Sequence, residues 1–265
     1  PQSQTIIDNN VQDNFRFYLG DKLAGNDPVY WDPSQNKDNS LKNFGFLVTG
    51  DSGSGKTQLL RSLIFEMSKN DFPIMIFDFK NDYAKNDNED PDSTFLETNN
   101  LMPFNIYRRG IPFNILELTP NEDNEVLPKQ QIREISLILK RIYKLGDIQH
   151  ANLQEAVEEA YTNCGIAIND FISFNDIKNI PEFSDVWNIL ERKKKDNLEC
   201  MQRLANINDL MNRGATNRIS FDEICKRKVV FHLHDLEDQD KTTIAELTIL
   251  RFYNYMLKSK QPAKL

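Results

Sequence analysis

The sequence has little cysteine and no close cysteine pair. Its three cysteines, Cys164, Cys200 and Cys225, are widely spaced and form no C-x-x-C motif. This spacing argues against a disulfide framework or a zinc site and predicts reduced, mostly buried thiols. A run of eighteen apolar residues is also missing. No segment is therefore predicted to cross a membrane.

A secretion leader and an excess of basic charge are missing as well. The chain begins Pro1-Gln2-Ser3, without Met and a basic-apolar leader, so we expect a cytoplasmic protein and a piece of a longer one. The formal net charge is −8, which argues against a surface that binds nucleic acid over its whole extent. Contact with DNA through a few loops stays compatible with this charge.

A glycine-rich stretch, FGFLVTGDSGSGKTQLL, occupies residues 44–60. Residues 50–57 satisfy the pattern G-x-x-x-x-G-K-[ST], between a predicted buried strand over 44–49 and a helix predicted over 56–69. Glycines let the backbone curl until successive N–H groups point at a phosphate chain. The positive N-terminal end of the helix adds to this attraction. The stretch therefore predicts a binding site for ATP and Mg²⁺.

Each residue of this loop has a predicted role. Lys56 is expected to reach the β- and γ-phosphate oxygens, which makes it the predicted catalytic residue, and the Thr57 hydroxyl is expected to hold Mg²⁺. The full set of predicted nucleotide-binding residues is Gly50, Asp51, Ser52, Gly53, Ser54, Gly55, Lys56, Thr57 and Gln58.

Apolar patterns along the chain predict an α/β core with a helical insertion. Strands are expected near Val29–Trp31, over 72–80 and over 228–236, and a third short strand or a turn over 111–118. An acidic exposed loop is expected over 81–93. Further helices are expected over 184–194 with Ser184 as N-cap, over 197–212 before Gly214, and over 241–258. The predicted divisions are 1–40 (N-terminal segment), 41–127 (phosphate-loop half of the core), 128–220 (helical insertion) and 221–265 (return strand and helix, cut short).

The string FDFKNDY at residues 77–83 narrows the family. With the glycine loop, it resembles the HerA/FtsK superfamily of P-loop ATPases, whose strand after the loop ends in D-x-K-G-[DE]-[YF]. Asp78, Lys80, Asp82 and Tyr83 match this pattern, and Asn81 replaces the glycine. IPFNILEL at 111–118 resembles that superfamily's PFNPL segment, with matches at Pro112, Phe113, Asn114 and Leu116. The resemblance covers roughly residues 28–260 and, more narrowly, extends to the DptH (DndH) type of DNA phosphorothioation-dependent restriction proteins.

This resemblance implies a RecA-like core and an ATP-dependent motor that moves on double-stranded DNA as a ring of identical subunits. Other proteins of a bacterial restriction system are implied as partners by the narrower resemblance. The acidic Walker B strand of the superfamily is expected after Leu265. We therefore expect little ATPase activity from this chain alone. Asp78 is a weaker candidate for a metal-adjacent acid, and a residue that caps a loop is the favoured alternative for it.

Two other functions stay open. A P-loop module that binds nucleotide without hydrolysing it is the main alternative, because no paired Asp-Glu or Glu-Glu follows a strand in this chain. A small-molecule kinase is disfavoured, because no arginine-rich lid follows the loop and the helical block is long.

Several residues carry weaker signals. A metal pair at His232 and His234, which we expect to share one face of a strand, is less favoured than ordinary packing. The basic run ERKKKD at 191–196 is more simply a solvated face than a phosphate contact. Arg108, Arg109 or Arg213 could serve as an arginine finger for a neighbouring subunit, although a surface role is favoured for each. Asp235 is a weaker candidate for the acid of a Walker B strand. Tyr30-Trp31 could form a platform for adenine, although packing in the core is favoured for this pair.

Overall fold

A computed structural model describes residues 17–31, 47–83 and 94–259. The chain divides into two compact units, one of residues 1–70 with 262–265 and one of residues 71–261. Each unit is described by itself. In the described part of the chain, every helix is too short or too polar to cross a membrane.

The first unit contains a β-hairpin and one long helix. Strands β1 (Phe17–Asp21) and β2 (Pro28–Trp31) pair in antiparallel fashion, which confirms the strand predicted near residues 29–31. The rings of Phe17 and Trp31 stack with centroids 4.9 Å apart. Helix α1 spans Lys56–Lys69, as the sequence predicts, and buries Ile64.

The second unit is built around a parallel sheet of three strands in the order β3-β7-β4. These strands are β3 (Ile74–Asp78), β4 (Met102–Asn105) and β7 (Lys228–His232). The central strand is buried from Val229 to His232, because both of its faces are covered. Rings in register form a ladder across the sheet, with Phe231 stacked 5.7 Å from Phe77 and 5.5 Å from Phe104.

Strands β3 and β7 confirm two predicted strands, whereas β4 was not predicted. Residues 111–118, expected as a strand or a turn, form turns and irregular backbone. The third strand lies earlier, at Met102–Asn105. Its sequence, MPFN, is short and contains Pro103, which weakens any strand signal.

Helices pack around this sheet, and all of them except α2 contribute buried residues to one hydrophobic core with it. They are α2 (Phe95–Thr98), α3 (Ile106–Arg109), α4 (Pro128–Ile142), α5 (Asp147–Asn163), α6 (Phe183–Arg192), α7 (Lys194–Gly214), α8 (Phe221–Cys225) and α9 (Asp238–Ser259). A small antiparallel ribbon joins β5 (Glu125–Val126) to β6 (Ile172–Ser173). Helices α4 to α7 thus occupy the region predicted as helical. Cys200 and Cys225 are buried free thiols, as expected.

The predicted N-cap of α6 is wrong by two residues. Ser184 lies inside the helix, and the N-cap is Glu182. The backbone N–H of Glu182 donates to Asp185 Oδ2 at 2.8 Å, which satisfies a donor that the helix start leaves without an intrahelical partner. Serine is the commoner N-cap, but here the aspartate three residues after Glu182 decides the start.

An irregular buried stretch, residues 110–119, connects the sheet to the helices; we call it the core segment. Ile111, Phe113 and Leu116 are each 0% exposed. Its backbone is bound by groups from four helices, because buried N–H and C=O groups need partners. These contacts are Ile111 N–H to Leu210 O of α7 (3.0 Å), Gln131 of α4 to both backbone groups of Thr119 (3.0 and 2.6 Å), Tyr161 of α5 to Leu116 O, and Arg251 of α9 to Glu117 O.

The side chain of Arg251, from α9, is buried against Glu117 of the core segment. Its guanidinium donates to Glu117 Oε2 at 2.9 Å and lies 4.8 Å from the centre of the Phe221 ring. Two of its N–H groups thus bind the backbone oxygen and the carboxylate of Glu117, and removal of the Glu117 side chain would leave the buried charge of Arg251 unpaired.

Two glycines allow the core segment to approach α7. A Cβ at Gly110 would lie 2.2 Å from the backbone N of Gly214, and a Cβ at Gly214 would lie 1.9 Å from the backbone O of Ile111. Gly110 also has a φ of +77°, a conformation that L side chains rarely adopt. Only glycine fits both positions without a shift of backbone.

We expect Gly110→Ala and Gly214→Ala to lower the free energy of unfolding by about 3 kcal/mol or more, because the new methyl group overlaps backbone atoms. The measurement is urea unfolding followed by circular dichroism. Gly165→Ala is the matched control, because Gly165 also has a positive φ (+79°) but has open space around its Cβ. Its expected loss is only about 1 kcal/mol, from backbone strain alone. Equal losses at Gly165 and Gly110 would contradict the role of close packing.

Candidate nucleotide-binding site

The glycine loop of residues 50–57 curls back on itself before α1. Ser54 N–H donates to Asp51 O at 3.2 Å, and Leu59 N–H begins the helix by donating to Gly55 O at 2.9 Å. Gly53 and Gly55 have φ values of +79° and +87°, which only glycine adopts at little cost. The sequence pattern therefore has a direct conformational cause.

Lys56 folds over the mouth of this loop. Its Nζ donates to Gly50 O at 2.8 Å and to Asp51 O at 2.6 Å. The ammonium group is thus held by carbonyl oxygens at the start of the loop. A phosphate oxygen could replace these carbonyl oxygens, because both kinds of oxygen accept hydrogen bonds from the ammonium group.

The N-terminal end of α1 supplies further anion-binding groups. Its N-cap is Gly55, which has no side chain to accept from the first free N–H groups, and the first turn contains no acidic residue. These N–H groups and the helix dipole favour a negatively charged ligand. The loop, the ammonium of Lys56 and the helix terminus together fit the phosphates of a nucleotide.

The hydroxyl of Thr57 would hold the Mg²⁺ that accompanies such phosphates. Thr57 is half-buried on the first turn of α1, and Gln58 beside it is exposed. Asp51, Ser52, Gly53 and Ser54 are exposed along the loop. The roles of these residues in nucleotide binding stay predictions.

The segment before the loop differs from the prediction. A buried strand was expected over residues 44–49, of which 44–46 lie outside the described residues. Residues 47–49 have no regular secondary structure, and Leu47 is 87% exposed. The prediction is wrong for these three residues, because a strand needs a hydrogen-bonded neighbour and the described strands do not supply one there.

Asp78 ends strand β3 and is 2% exposed. Its Oδ1 accepts the N–H groups of Lys80 (3.3 Å) and Asp82 (3.0 Å). Its Oδ2 accepts the N–H of Tyr83 at 3.2 Å and faces His232 Nδ1 at 3.1 Å. Asp78 thus ties the loop after β3 to the end of the central strand, which agrees with the favoured alternative of a loop-capping residue.

These contacts control the pKa of Asp78. Burial by itself disfavours the charged form and raises the pKa, but the hydrogen bond with His232 and those from Tyr83 and Asp82 outweigh it. The net pKa lies below the ordinary value of 3.8. The carboxylate is therefore stabilised in its charged form by the native contacts.

Asn81 stands where the superfamily pattern has glycine. Its backbone φ is +65°, in the left-handed region. Asparagine tolerates this conformation better than most residues, so the turn is kept despite the replacement. The acidic loop predicted after this turn falls largely on residues 84–93, which lie outside the described residues.

The two histidines are not placed as a metal pair. His232 is the last residue of β7 and contacts Asp78, whereas His234 lies in the turn that follows, with Nε2 3.1 Å from Asp235 Oδ1. Within the described ranges, no group of three or more His, Cys, Asp and Glu side chains could hold a metal ion. The His232–Asp78 contact was not predicted, because it depends on the register in which β3 and β7 pair.

The predicted arginine candidates have different surroundings. Arg213 pairs with Asp209 at 2.7 Å and donates to Tyr107 O, which is a structural role. Arg108 and Arg109 are exposed on α3.

Tyr30 is 50% exposed and packs against Tyr18 of the hairpin, with ring centroids 5.8 Å apart.

The basic run at residues 191–196 lies where α6 meets α7, and all six of its residues are exposed. Within it, Arg192 pairs with Glu159 at 2.7 Å. A solvated face, the favoured alternative, agrees with this exposure.

We expect Asp78→Asn to lower the free energy of unfolding at pH 7 by about 2 kcal/mol, because the amide cannot replace the carboxylate toward three N–H donors and His232. Because the native pKa is depressed, this contribution is present above the unfolded value near 3.8 and is lost as the pH falls through the native pKa. Wild type should therefore lose more stability than Asp78→Asn between pH 5 and about pH 3 in urea titrations. Asp71→Asn, at a carboxylate that is 96% exposed, is the control and should follow wild type. Parallel curves for all three proteins would contradict this role.

Comparison with known proteins identifies a family that this chain matches. Residues 39–251 match the family described as the central domain of helicase HerA. A structure of VirB4 of Thermoanaerobacter pseudethanolicus superposes with a TM-score of 0.52 at 17% sequence identity, over 80% of this chain and 56% of that chain. The chain thus spans little more than half the length of that VirB4. No curated protein matches the sequence.

These matches confirm an α/β fold of the RecA-like P-loop type with a parallel sheet. They confirm the HerA side of the predicted resemblance, while the narrower resemblance to DptH-type restriction proteins gains no support. Because the family match covers the glycine loop, the whole three-stranded sheet and most of α9, the chain belongs to the family of the HerA helicase central domain.

Proposed function

We propose that this chain is the nucleotide-binding part of an ATP-dependent DNA motor of the translocase or helicase type. The observation that carries the proposal is the loop of residues 50–57, in which Lys56 closes over the loop carbonyls at the uncapped start of α1. Membership of the family described as the central domain of helicase HerA supports DNA as the molecule along which the motor moves.

Each group in the site has a defined task in this proposal. The N–H groups of the loop and of α1 hold the phosphates, and Lys56 exchanges its contacts with Gly50 and Asp51 for the β- and γ-phosphate oxygens. Thr57 would hold Mg²⁺, which when bound would supply positive charge to the phosphates. Asp78 acts indirectly, since its carboxylate holds the loop of residues 80–83 in place.

The finer parts of the proposal concern assembly and setting. We propose a ring of identical subunits around double-stranded DNA, in a cytoplasmic protein. A role in DNA restriction, with other restriction proteins as partners, is supported by the sequence resemblance of the glycine loop and of residues 77–83 to such proteins.

A nucleotide-binding module without hydrolysis is the second candidate. It is favoured by the state of Asp78, whose two carboxylate oxygens are already engaged by three N–H groups and His232. In such a module, ATP would act as a ligand for assembly or regulation.

Lys56→Ala is expected to weaken ATP-Mg²⁺ binding by about a hundredfold or more, because charged hydrogen bonds to phosphate are lost. Isothermal titration calorimetry of the 265-residue chain measures this. Lys69→Ala, at the other end of the same helix, is the matched control and should bind ATP as wild type does. Tight binding by the Lys56→Ala protein would refute the assignment of the loop.

Hydrolysis separates the two candidate functions. For a motor, the protein in its full natural length should hydrolyse ATP faster when double-stranded DNA is added, and Lys56→Ala should remove this activity. For a binding module, ATP should bind with no DNA-stimulated release of phosphate. A phosphate-release assay with and without DNA, using Lys56→Ala as the blank, decides between them.

A further inference from the structure

Helices α4 and α9 meet at a buried pair of side chains, Tyr143 and Asp240. Tyr143 is the C-cap of α4, and Asp240 lies in the first turn of α9. The hydroxyl of Tyr143 donates to Asp240 Oδ1 at 2.7 Å, and both residues are 3% exposed. The contact therefore joins the turn between α4 and α5, residues 143–146, to the helix that follows the central strand of the sheet.

Helix α7 contributes to the same cluster. Arg203 donates to the backbone O of Tyr143 at 3.2 Å and to that of Lys144 at 3.4 Å. The side chain of Asn206, less than one turn later on α7, forms a hydrogen bond with Asp240. Helices α4, α7 and α9 thus meet at one buried carboxyl group.

In the described part of the chain, no cation is paired with this carboxyl group, and the charge that acts on it is that of another acid, Glu237. Lys144 of the turn is exposed to solvent. The other cations near the cluster are bound to other carboxylates: Lys140 to Asp147 (2.6 Å), Arg141 to Glu246, Arg203 to Glu199 (2.7 Å) and Lys241 to Asp238 (3.3 Å). A buried carboxylate without a cation is costly, because its charge loses the solvation by water.

The surroundings raise the pKa of Asp240 above its ordinary value of 3.8. Burial is the strongest influence and raises the pKa; the hydrogen bond from Tyr143 lowers it, the charge of Glu237 raises it, and the hydrogen bond with Asn206 lowers it. Burial also raises the pKa of Tyr143, so its hydroxyl keeps the proton that it donates. Asp240 is thus the member of the pair that can change its charge.

We propose that Tyr143 and Asp240 form a proton-dependent latch, which holds the turn between α4 and α5 on α9 while Asp240 is protonated and loosens once Asp240 is ionised. In the closed latch, a neutral carboxyl group is buried and accepts from Tyr143. Ionisation releases the proton to solvent and leaves a negative charge that contact with water stabilises. Solvent is close, because Lys144 and Gly146 of the turn are exposed. The proposal is independent of the proposed function.

The direction in which the latch opens with pH follows from linkage. Because the native pKa of Asp240 is raised, its protonated form contributes stability that is fully present below the unfolded value near 3.8 and is lost as the pH rises through the native pKa. The turn should therefore open more readily at high pH. The amides of Tyr143 and Leu145 report on this opening, since they donate to Leu139 O (3.0 Å) and Lys140 O (2.9 Å) in the closed turn.

The test is hydrogen–deuterium exchange of the 265-residue chain, measured by mass spectrometry on peptides that cover residues 139–146, from pH 4 to pH 8. The intrinsic exchange rate at each pH, divided by the measured rate, gives a protection factor. Asp240→Asn stays neutral, and its side-chain oxygen can still accept from Tyr143. The protection factor of Asp240→Asn divided by that of wild type should therefore rise at least about threefold between pH 4 and pH 8.

Glu155→Gln is the matched control, because it removes an exposed carboxylate from α5, the helix that follows the turn. It should keep the wild-type pH profile. Tyr143→Phe removes the donor and should lower the protection factor of the turn at every pH, and urea unfolding should show that each variant folds. A constant ratio of Asp240→Asn to wild type, the same rise in Glu155→Gln, or an unchanged turn in Tyr143→Phe would overturn the latch while nucleotide binding by the glycine loop stands.

Discussion

The hydrogen bonding of the core segment, residues 110–119, is the constraint on which the second unit depends. Irregular backbone is rare in a protein core, because each buried N–H and C=O must find a partner. Here α4, α5, α7 and α9 each supply one, through Gln131, Tyr161, Leu210 and Arg251. The helices are therefore positioned by one stretch of chain. Phe113 continues this connection to the sheet, with its ring centre 6.4 Å from that of Phe231.

At the end of the sheet, backbone N–H groups are likewise satisfied by a buried side chain. Asp78 satisfies three backbone N–H groups of the following turn and contacts His232 on the central strand. A buried carboxylate is costly unless its oxygens are bonded in this way. The acid that the family pattern places after the phosphate loop thus has a structural task here, and that task fixes where the exposed Phe79 and Lys80 lie.

Sequence reasoning succeeded where a signal is local and strong. The limits of α1 agree at both ends, because the glycine loop marks the start and an apolar repeat of helical spacing marks the length. Strands β3 and β7 were found because they are continuous apolar runs. Strand β4 was missed, since four residues with a proline give almost no pattern. The start of α6 was misplaced, because the hydrogen bond that the Glu182 N–H donates to Asp185 outweighed the common preference for serine.

By itself, the sequence determined the glycine loop before α1, because only glycine adopts the backbone conformations of Gly53 and Gly55 at little cost. It also determined the family, through motifs that lie close together in the chain. The tertiary structure alone decided which distant groups meet, such as Arg251 with Glu117 and His232 with Asp78. These contacts join residues more than a hundred positions apart, and they arise because buried polar groups must be satisfied by whatever the fold brings within reach.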